Sequence, residues 1–188
     1  MSKKLITLFG LPIAAPSANL SERTSVTNIM DIDPILVKKI FVLKDKQSSH
    51  GLESTVVRID TNNEIEVLRY GSITVEELNK YAKVKIKKKS SISPGNLKKH
   101  YSTLKPIRMN AKRILKNEGL LNFGNNKLKS KIVNLNLSNK KNLNEAAKNF
   151  YHYLHKLDQS RCKKIAVVEI PDKGLGKTIN DRLRRAIK

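Results

Sequence analysis

Residues 143–157, LNEAAKNFYHYLHKL, are the stretch that decides the fold class. Their apolar side chains recur at steps of four, three, four and three residues, which predicts an amphipathic helix with one face in a core. These residues are Leu143, Ala147, Phe150, Leu154 and Leu157. The run at 165–170, IAVVEI, is rich in β-branched residues and is typical of a strand buried on both faces of a parallel sheet. A helix followed by such a strand indicates an α/β protein.

The remaining patterns between residues 106 and 188 complete a small layered α/β domain around this helix and strand. Short apolar runs predict further strands at 107–109, 120–123 and 131–137, a helix at 111–117, and a basic amphipathic helix at 175–187.

Residues 1–82 predict a separate α/β part. The predicted elements are a helix at 2–9, a short buried strand at 12–15, strands at 53–59 and 64–68 joined by the turn 60–63, and a helix through residue 81 that opens with the capping-box pair Thr74 and Glu77. Residues 83–105 are basic, contain Pro and Gly, and show no sustained apolar period. We expect them to be an interdomain linker.

The chain is strongly basic. In 188 residues it has 38 Lys and Arg against 16 Asp and Glu, a formal net charge of +22. Such a charge attracts polyanions, so nucleic acid and phosphate ligands are candidate partners. The excess is mostly Lys and accompanies many Asn and Ile, a bias that compositional drift alone can produce.

Cysteine usage and hydropathy indicate the compartment. The single cysteine, Cys162, excludes an internal disulfide and fits a reducing cytosol. The apolar run near the N-terminus is interrupted by Gly10, Pro12 and Pro16, and no longer apolar stretch follows. We therefore expect a cytoplasmic protein with no membrane partner.

Metal and nucleophile signals are weak. His152 and His155 lie one turn apart on the predicted helix, but no Cys or carboxylate constellation completes a zinc site. Cys162 has no partner base in the sequence and reads as an unreactive thiol. We predict no metal ligand and no catalytic side chain.

Polar segments occur at predicted strand ends, where α/β sheets bind their ligands. PSANLS, at 16–21, offers hydroxyl, amide and backbone groups, with an ordinary Asx/Ser turn as the structural alternative. In GLEST, at 51–55, Gly51 permits a close backbone approach and Ser54 presents a hydroxyl, although a plain strand start could contain both. Arg69 ends a strand and could bind a carboxylate or phosphate, or be solvated.

Two basic segments complete the set. SPGNLKKHYS, at 93–102, lies in the predicted linker and could fold over an anionic ligand or be a solvated tether. GLGKTINDRLRRAIK, at 174–188, lacks the spacing of a phosphate loop. Its helix reads as structural, or as a weak surface for RNA.

The order PIAAPSANLS, GLESTVV, LRYGSIT, SPGxxxxHY and GLGxxINDRLRRA resembles the two-domain form of the YrdC-like threonylcarbamoyl-AMP synthases over almost the whole chain. The resemblance implies that residues 1–82 are the C-terminal part of a YrdC-like twisted mixed α/β sheet domain. It implies that 83–105 are the linker and that 106–188 form a small Rossmann-like α/β domain.

The resemblance also implies an activity. The family combines L-threonine, bicarbonate and ATP into L-threonylcarbamoyladenylate and pyrophosphate, with Mg²⁺ expected to accompany the ATP. The product serves tRNA threonylcarbamoyladenosine modification, so tRNA is a partner directly or through a downstream transferase. Carried over by motif, the ATP contacts are Ser17, Asn19, Ser25, Arg69 and Tyr101, and the threonine contacts are Ser54 and the backbone of Ala15.

The chain departs from the family in several places. The family's catalytic domain begins far upstream, and its early Lys/Arg motif, which supplies much of the ATP and threonine site, has no counterpart here. Glu22 stands at the usual glycine, Val26 at an expected proline and Arg58 at a frequent Asp. We expect residues 1–82 to present an unpaired apolar edge that aggregates or needs a complementing chain, and activity of this chain alone is left open.

A second function stays open at this point. A non-catalytic remnant could bind tRNA or double-stranded RNA through basic surfaces at 83–113 and 182–188. Such binding would weaken steeply with salt and would need no nucleotide. The product of a broken reading frame, with no function, is a third reading.

Overall fold

The computed structural model describes residues 2–15, 17–43, 48, 50–86 and 101–187, which form two small sheets and their helices. The helices are α1 (Ser2–Phe9), α2 (Pro34–Val37), α3 (Val75–Leu78), α4 (Leu143–Gln159) and α5 (Leu175–Ala186), with a 3₁₀ turn at Ile29–Asp31. The strands are β1 (Val56–Ile59), β2 (Ile65–Arg69), β3 (Val84–Lys85), β4 (Ile107–Arg108), β5 (Glu118–Asn122), β6 (Asn134–Asn136) and β7 (Lys164–Val167). The α/β fold class predicted from the sequence is confirmed.

The first sheet has the order β1-β2-β3. β1 and β2 form an antiparallel hairpin, and β3 pairs with β2 in parallel. The hairpin turn is held by the Asp60 carboxylate, which accepts from the backbone amides of Asn62 and Glu64, both at 2.9 Å. This is the turn chemistry that Asp and Asn favour, and it places Arg69 at the end of β2.

The second sheet has the order β4-β7-β5-β6, with every pair parallel. β7 lies inside the sheet and is buried from Ile165 to Val167, as its β-branched run predicts. α4 covers the sheet with the face predicted from its spacing, including Phe150 and Leu154. α5 packs beside α4 through the buried side chains of Ile179 and Leu183.

Two predicted elements are wrong. Residues 12–15 are exposed and form no strand, because a strand persists only when a neighbour pairs with it, and the described residues provide none. Residues 111–117 form turns instead of a helix. There the Glu118 carboxylate accepts from the Leu115 amide at 2.8 Å, and the Arg108 Nη2 donates to the Arg113 carbonyl at 2.8 Å. Side chains thus take the backbone groups that a helix would pair.

Burial is uneven along the chain. Before residue 101 the buried apolar side chains among the described residues are Leu52, Ile65 and Val67, and the others lie in 101–187. β1 is an edge strand whose Ile59 is 66% exposed. The second part of the chain, residues 101–187, therefore contains the larger core among the described residues.

The predicted domain limits stay a prediction. Of the predicted linker, residues 87–100 lie outside the described part, and so does Pro16 of the polar loop. Within the described ranges, the helices are too short or too polar to cross a bilayer.

Candidate functional site

A single carboxylate, that of Glu53 in the GLEST segment, gathers side chains from distant parts of the chain. Its Oε1 accepts from the hydroxyl of Ser25 and from the hydroxyl of Tyr151 on α4 at 2.7 Å. Its Oε2 accepts from Nε of Arg182 on α5 at 3.0 Å. We call Ser25, Glu53, Tyr101, Tyr151 and Arg182 the Glu53 cluster.

Arg182 is the charged centre of this cluster, and its side chain has no exposed surface. Besides Glu53, its guanidinium donates to the Asp181 carboxylate and to the carbonyl of Tyr70, both at 2.6 Å. Its face lies 4.6 Å from the ring centroid of Tyr101. A buried cation with its donors paired and its face on a ring avoids the penalty of an unpaired charge.

The pKa values follow from this burial and pairing. Burial raises the pKa of the Glu53 carboxyl, but Arg182, Ser25 and Tyr151 outweigh it, so the net pKa lies below the ordinary 4.5. Burial alone would lower the pKa of Arg182, yet the net pKa is raised by Tyr151 and Glu53. Burial, and then the charge of Glu53, raise the pKa of Tyr151 well above 10.0. The ion pair therefore stays charged at neutral pH while Tyr151 stays a neutral donor.

Arg69 and Ser54 lie next to this cluster. The Nη2 of Arg69, at the end of β2, donates to the Ser54 carbonyl at 2.9 Å and to its hydroxyl at 3.2 Å. The hydroxyl of Thr55 also donates to the carbonyl of Ile73 at 2.6 Å. These contacts fix the GLEST segment against the turn that follows β2.

Two glycines allow the close approach of these segments. Gly51 has φ +66°, and a Cβ there would lie 2.3 Å from the Ala147 carbonyl oxygen on α4. A Cβ at Gly71 would lie 2.2 Å from the Thr55 nitrogen. The close approach predicted for Gly51 is therefore to helix α4 of the second part of the chain.

Four of the predicted ligand contacts come together here. Ser25 and Tyr101 are in the Glu53 cluster, Ser54 is its chain neighbour, and Arg69 binds Ser54. Tyr101 is 2% exposed and has φ +64°, a conformation rare for a bulky residue and frequent at functional sites. Their contacts with ATP or threonine stay predictions.

The other three predicted contacts lie elsewhere. Asn19 donates from Nδ2 to the carbonyls of Leu20 at 3.0 Å and Arg23 at 3.2 Å, so its side chain holds its own loop. Ala15 and Ser17 are exposed. Among the described contacts, none joins them to Arg69 or to Glu53.

Sequence reasoning missed Glu53, Tyr151 and Arg182. Arg182 was expected on a basic RNA-facing surface, which is wrong because its side chain is fully buried. The spacing of apolar residues in α5 indicates that Arg182 is buried. Arg182 lies on the same helical face as Ile179, Leu183 and Ala186, all of them buried. The flanking arginines are also paired, Arg184 with Asp172 and Arg185 with Asp181.

The two histidines of α4 contact the first part of the chain. His152 Nδ1 lies 2.8 Å from the Asp31 carboxylate, and His155 Nε2 lies 3.0 Å from the hydroxyl of Thr24. Their ring nitrogens are thus used for contacts between the two parts. Within the described ranges, His, Cys, Asp and Glu form no group of three or more that could hold a metal.

A cavity of about 150 Å³ lies beside His155. Its polar lining includes Asn19, Arg23, Thr24 and Asp158, and the buried Oδ1 of Asn19 has no hydrogen-bond partner among the described residues. Ser25, Ser54, Arg69 and Tyr101 are not among the residues that line it. The cavity is lined by their chain neighbours Thr24, Val26 and Ser102, so it adjoins the place where four of the predicted contacts meet without including those four residues.

The fold and site define an α/β chain whose two parts are joined by a buried ion pair, and comparison with known proteins gives its family. The family model for the C-terminal domain of threonylcarbamoyl-AMP synthase matches residues 73–187, and a model described as telomere recombination matches residues 1–71. The chain belongs to the threonylcarbamoyl-AMP synthase family.

A curated relative and two solved structures are also similar to this chain. The threonylcarbamoyl-AMP synthase of Pyrococcus abyssi is 26% identical over 97% of this chain, which spans 60% of that protein. A crystal structure of P. abyssi Sua5 with L-threonine has a TM-score of 0.78 at 24% identity, covering 97% of this chain and 60% of that one. The structure of a P. abyssi Sua5 variant, in which a His and the following Tyr are replaced by alanine, has a TM-score of 0.74 at 24% identity. The match covers 98% of this chain and 58% of that one.

Proposed function

We propose that this chain takes part in forming L-threonylcarbamoyladenylate from L-threonine, bicarbonate and ATP. Family membership supports the proposal, and the chain spans about three fifths of the length of its curated relative. The observation that carries it is the meeting of Ser25, Ser54, Arg69 and Tyr101, which come from separate segments, around Glu53 and Arg182.

The reaction needs charge neutralisation and alignment more than a side-chain nucleophile. The amino nitrogen of threonine bonds to the carbon of bicarbonate with loss of water. An oxygen of the resulting carbamate then bonds to the α-phosphorus of ATP as the bond to the β-phosphate oxygen breaks, and pyrophosphate leaves. Arg69 would place its charge against the phosphates, and the hydroxyls of Ser25 and Ser54 would orient the two substrates.

Tyr101 would close over the nucleotide. It is held at the end of the linker by the guanidinium of Arg182 below its ring. The P. abyssi variant replaces a His and the Tyr after it, and this chain has the same dipeptide, with Tyr101 as its second residue. An aromatic side chain beside a nucleotide can cover a base or sugar and exclude water from the phosphates.

The remaining substrates and partners are part of the same proposal. A P. abyssi structure contains L-threonine, which supports threonine as the amino-acid substrate. Magnesium would arrive with the ATP phosphates, since it is usually bound by substrate phosphates and only one or two protein carboxylates. The adenylate would pass to tRNA through a transferase.

Nucleotide binding by the purified chain tests the proposal. Titration calorimetry with MgATP is expected to show saturable binding, which Arg69→Met weakens by about tenfold because a charged contact to phosphate is lost. Arg161→Met removes a charge from an exposed position outside the cluster and should leave the affinity unchanged. Pyrophosphate release that requires both threonine and bicarbonate would establish the reaction. An absence of saturable ATP binding at millimolar concentrations would overturn the proposal.

A further inference from the structure

Arg182 contacts each of the segments that carry the gathered ligand contacts. Its Nε binds Glu53, which precedes Ser54 and accepts from Ser25. Its Nη2 donates to the carbonyl of Tyr70, the residue after Arg69, and its face supports the ring of Tyr101. One side chain of α5 therefore contacts Glu53, Tyr70 and Tyr101, and so touches or adjoins each of the four gathered residues.

A neighbouring contact from the same helix acts on the same turn. The hydroxyl of Thr178 on α5 donates to the carbonyl of Gly71 at 2.9 Å. α5 thus binds two consecutive carbonyls, those of Tyr70 and Gly71, directly after the strand that ends at Arg69. The position of this strand end depends on α5 as well as on its own sheet.

The geometry requires a guanidinium. The Nε, Nη1 and Nη2 atoms each donate to a different partner, and the flat face remains for the ring of Tyr101. Lys would keep the charge but present it as one compact group that cannot reach Glu53, Asp181 and the Tyr70 carbonyl together. An apolar residue of similar volume could maintain packing without fixing any of these directions.

We propose that Arg182 is a positioning residue, which sets Ser25, Ser54, Arg69 and Tyr101 in the arrangement that binds ATP. The inference rests on the proposed function, since it assigns Arg182 a role in that same site. It makes the second part of the chain a component of the nucleotide site, acting through Glu53 and Tyr101.

The test separates positioning from stability. Arg182→Met leaves the Glu53 charge buried without its partner, whereas Arg182→Met with Glu53→Gln removes both charges and keeps an acceptor for Ser25 and Tyr151. The double variant is expected to recover thermal stability toward that of the unsubstituted chain, while its dissociation constant for ATP stays raised by about tenfold or more. Arg182→Lys should also bind ATP weakly. Arg184→Met, on the exposed face of the same helix, is the matched control and should leave ATP affinity unchanged.

Hydrogen exchange gives a second measurement that needs no nucleotide. Peptides containing Ser25 and Ser54 are expected to exchange faster in the folded double variant than in the unsubstituted chain, because the carboxylate and guanidinium that join them are gone. Unchanged exchange, or ATP affinity within twofold of the unsubstituted chain in a folded Arg182 variant, would overturn the inference. Failure of the unsubstituted chain to bind ATP overturns the proposed function instead, and hydrogen exchange would still decide whether Arg182 fixes these segments.

Discussion

Glu53 and Arg182 are 129 positions apart in the sequence, and the Nε of Arg182 donates to the Glu53 carboxylate at 3.0 Å. The first belongs to a loop that enters an edge strand, and the second to the last helix. Because the Arg182 side chain is fully buried, the pair lies inside the junction between the two parts of the chain. The packing of the junction and the arrangement of the candidate site therefore depend on the same contacts.

The fit of Gly51 against α4 gives the first prediction. Gly51→Ala would place a Cβ 2.3 Å from the Ala147 carbonyl oxygen at a residue whose φ is +66°. Overpacking and the left-handed conformation together should lower the free energy of unfolding by about 2–4 kcal/mol. Urea denaturation followed by circular dichroism measures the loss. Gly10→Ala is the control, since φ there is also positive but no atom lies within 4 Å of the added Cβ. Equal losses in the two variants would contradict the close contact with α4.

The second prediction concerns acid. The pKa of Glu53 is below 4.5 in the folded protein and near 4.5 in the unfolded chain, so its ion pair contributes stability above pH 4.5. That contribution is lost as the pH falls through the folded-state pKa. At neutral pH, Glu53→Gln should lower the free energy of unfolding by about 3 kcal/mol because the buried Arg182 loses one of its two carboxylate partners and keeps only Asp181. The difference between the two proteins should shrink as the pH falls below 4.5.

Urea denaturation at several pH values checks this dependence. Glu169→Gln, at an exposed position, provides the control and should track the unsubstituted chain throughout. A difference between Glu53→Gln and the unsubstituted chain that stays constant across the range would show that the charge of Glu53 does not carry the effect.

Short-range sequence patterns predicted the elements that depend on residues close together in the sequence. The capping box of Thr74 and Glu77 is present at α3, with contacts of 2.7 and 3.2 Å, and the apolar spacing of α4 gives its buried face. The strand predicted at 12–15 is absent because strand formation depends on a partner, which a local apolar run does not supply. The helix predicted at 111–117 is absent because two side chains outside this run form hydrogen bonds with its backbone. Arg108 donates to the Arg113 carbonyl, and Glu118 accepts from the Leu115 amide.

The candidate site was predictable only in part for the same reason. A family motif marks Ser25, Ser54, Arg69 and Tyr101, and the structure brings these four together. The pairing that joins them, Glu53 with Arg182, has no local sequence signature. Basic residues on a terminal helix suggest a surface, and only the apolar spacing around Arg182 distinguishes a buried cation from an exposed one.

Glu22 gives the third prediction. It has φ +64° in the structure, a conformation that glycine adopts without strain. Its side chain is exposed, and its carbonyl accepts from the Ser102 amide at 2.8 Å, a contact that any residue can make. Glu22→Gly should therefore raise the free energy of unfolding by about 0.5 kcal/mol. The substitution removes the strain of the left-handed conformation, and the greater entropy of glycine in the unfolded chain offsets part of that gain.

Glu22→Ala separates conformation from charge. It removes the same carboxylate but keeps a Cβ at φ +64°, so it should give none of the gain. The midpoints of urea denaturation for the two variants provide the measurement. A gain in the alanine variant equal to that in the glycine variant would assign the effect to the charge.

The fourth prediction concerns the exposed apolar face of α1. No residue of this helix is buried, and Leu8 and Phe9 are 76% and 58% exposed. Large exposed apolar side chains favour self-association, so Leu8→Ser with Phe9→Ser should raise the concentration at which the chain stays in solution. Because these side chains bury little within the chain, the free energy of unfolding should change by less than about 0.5 kcal/mol. Light scattering and urea denaturation of the same samples measure both quantities. Phe150→Ser, at a side chain with no exposure, should unfold the protein, and a comparable loss in the α1 variant would show that α1 is packed in solution.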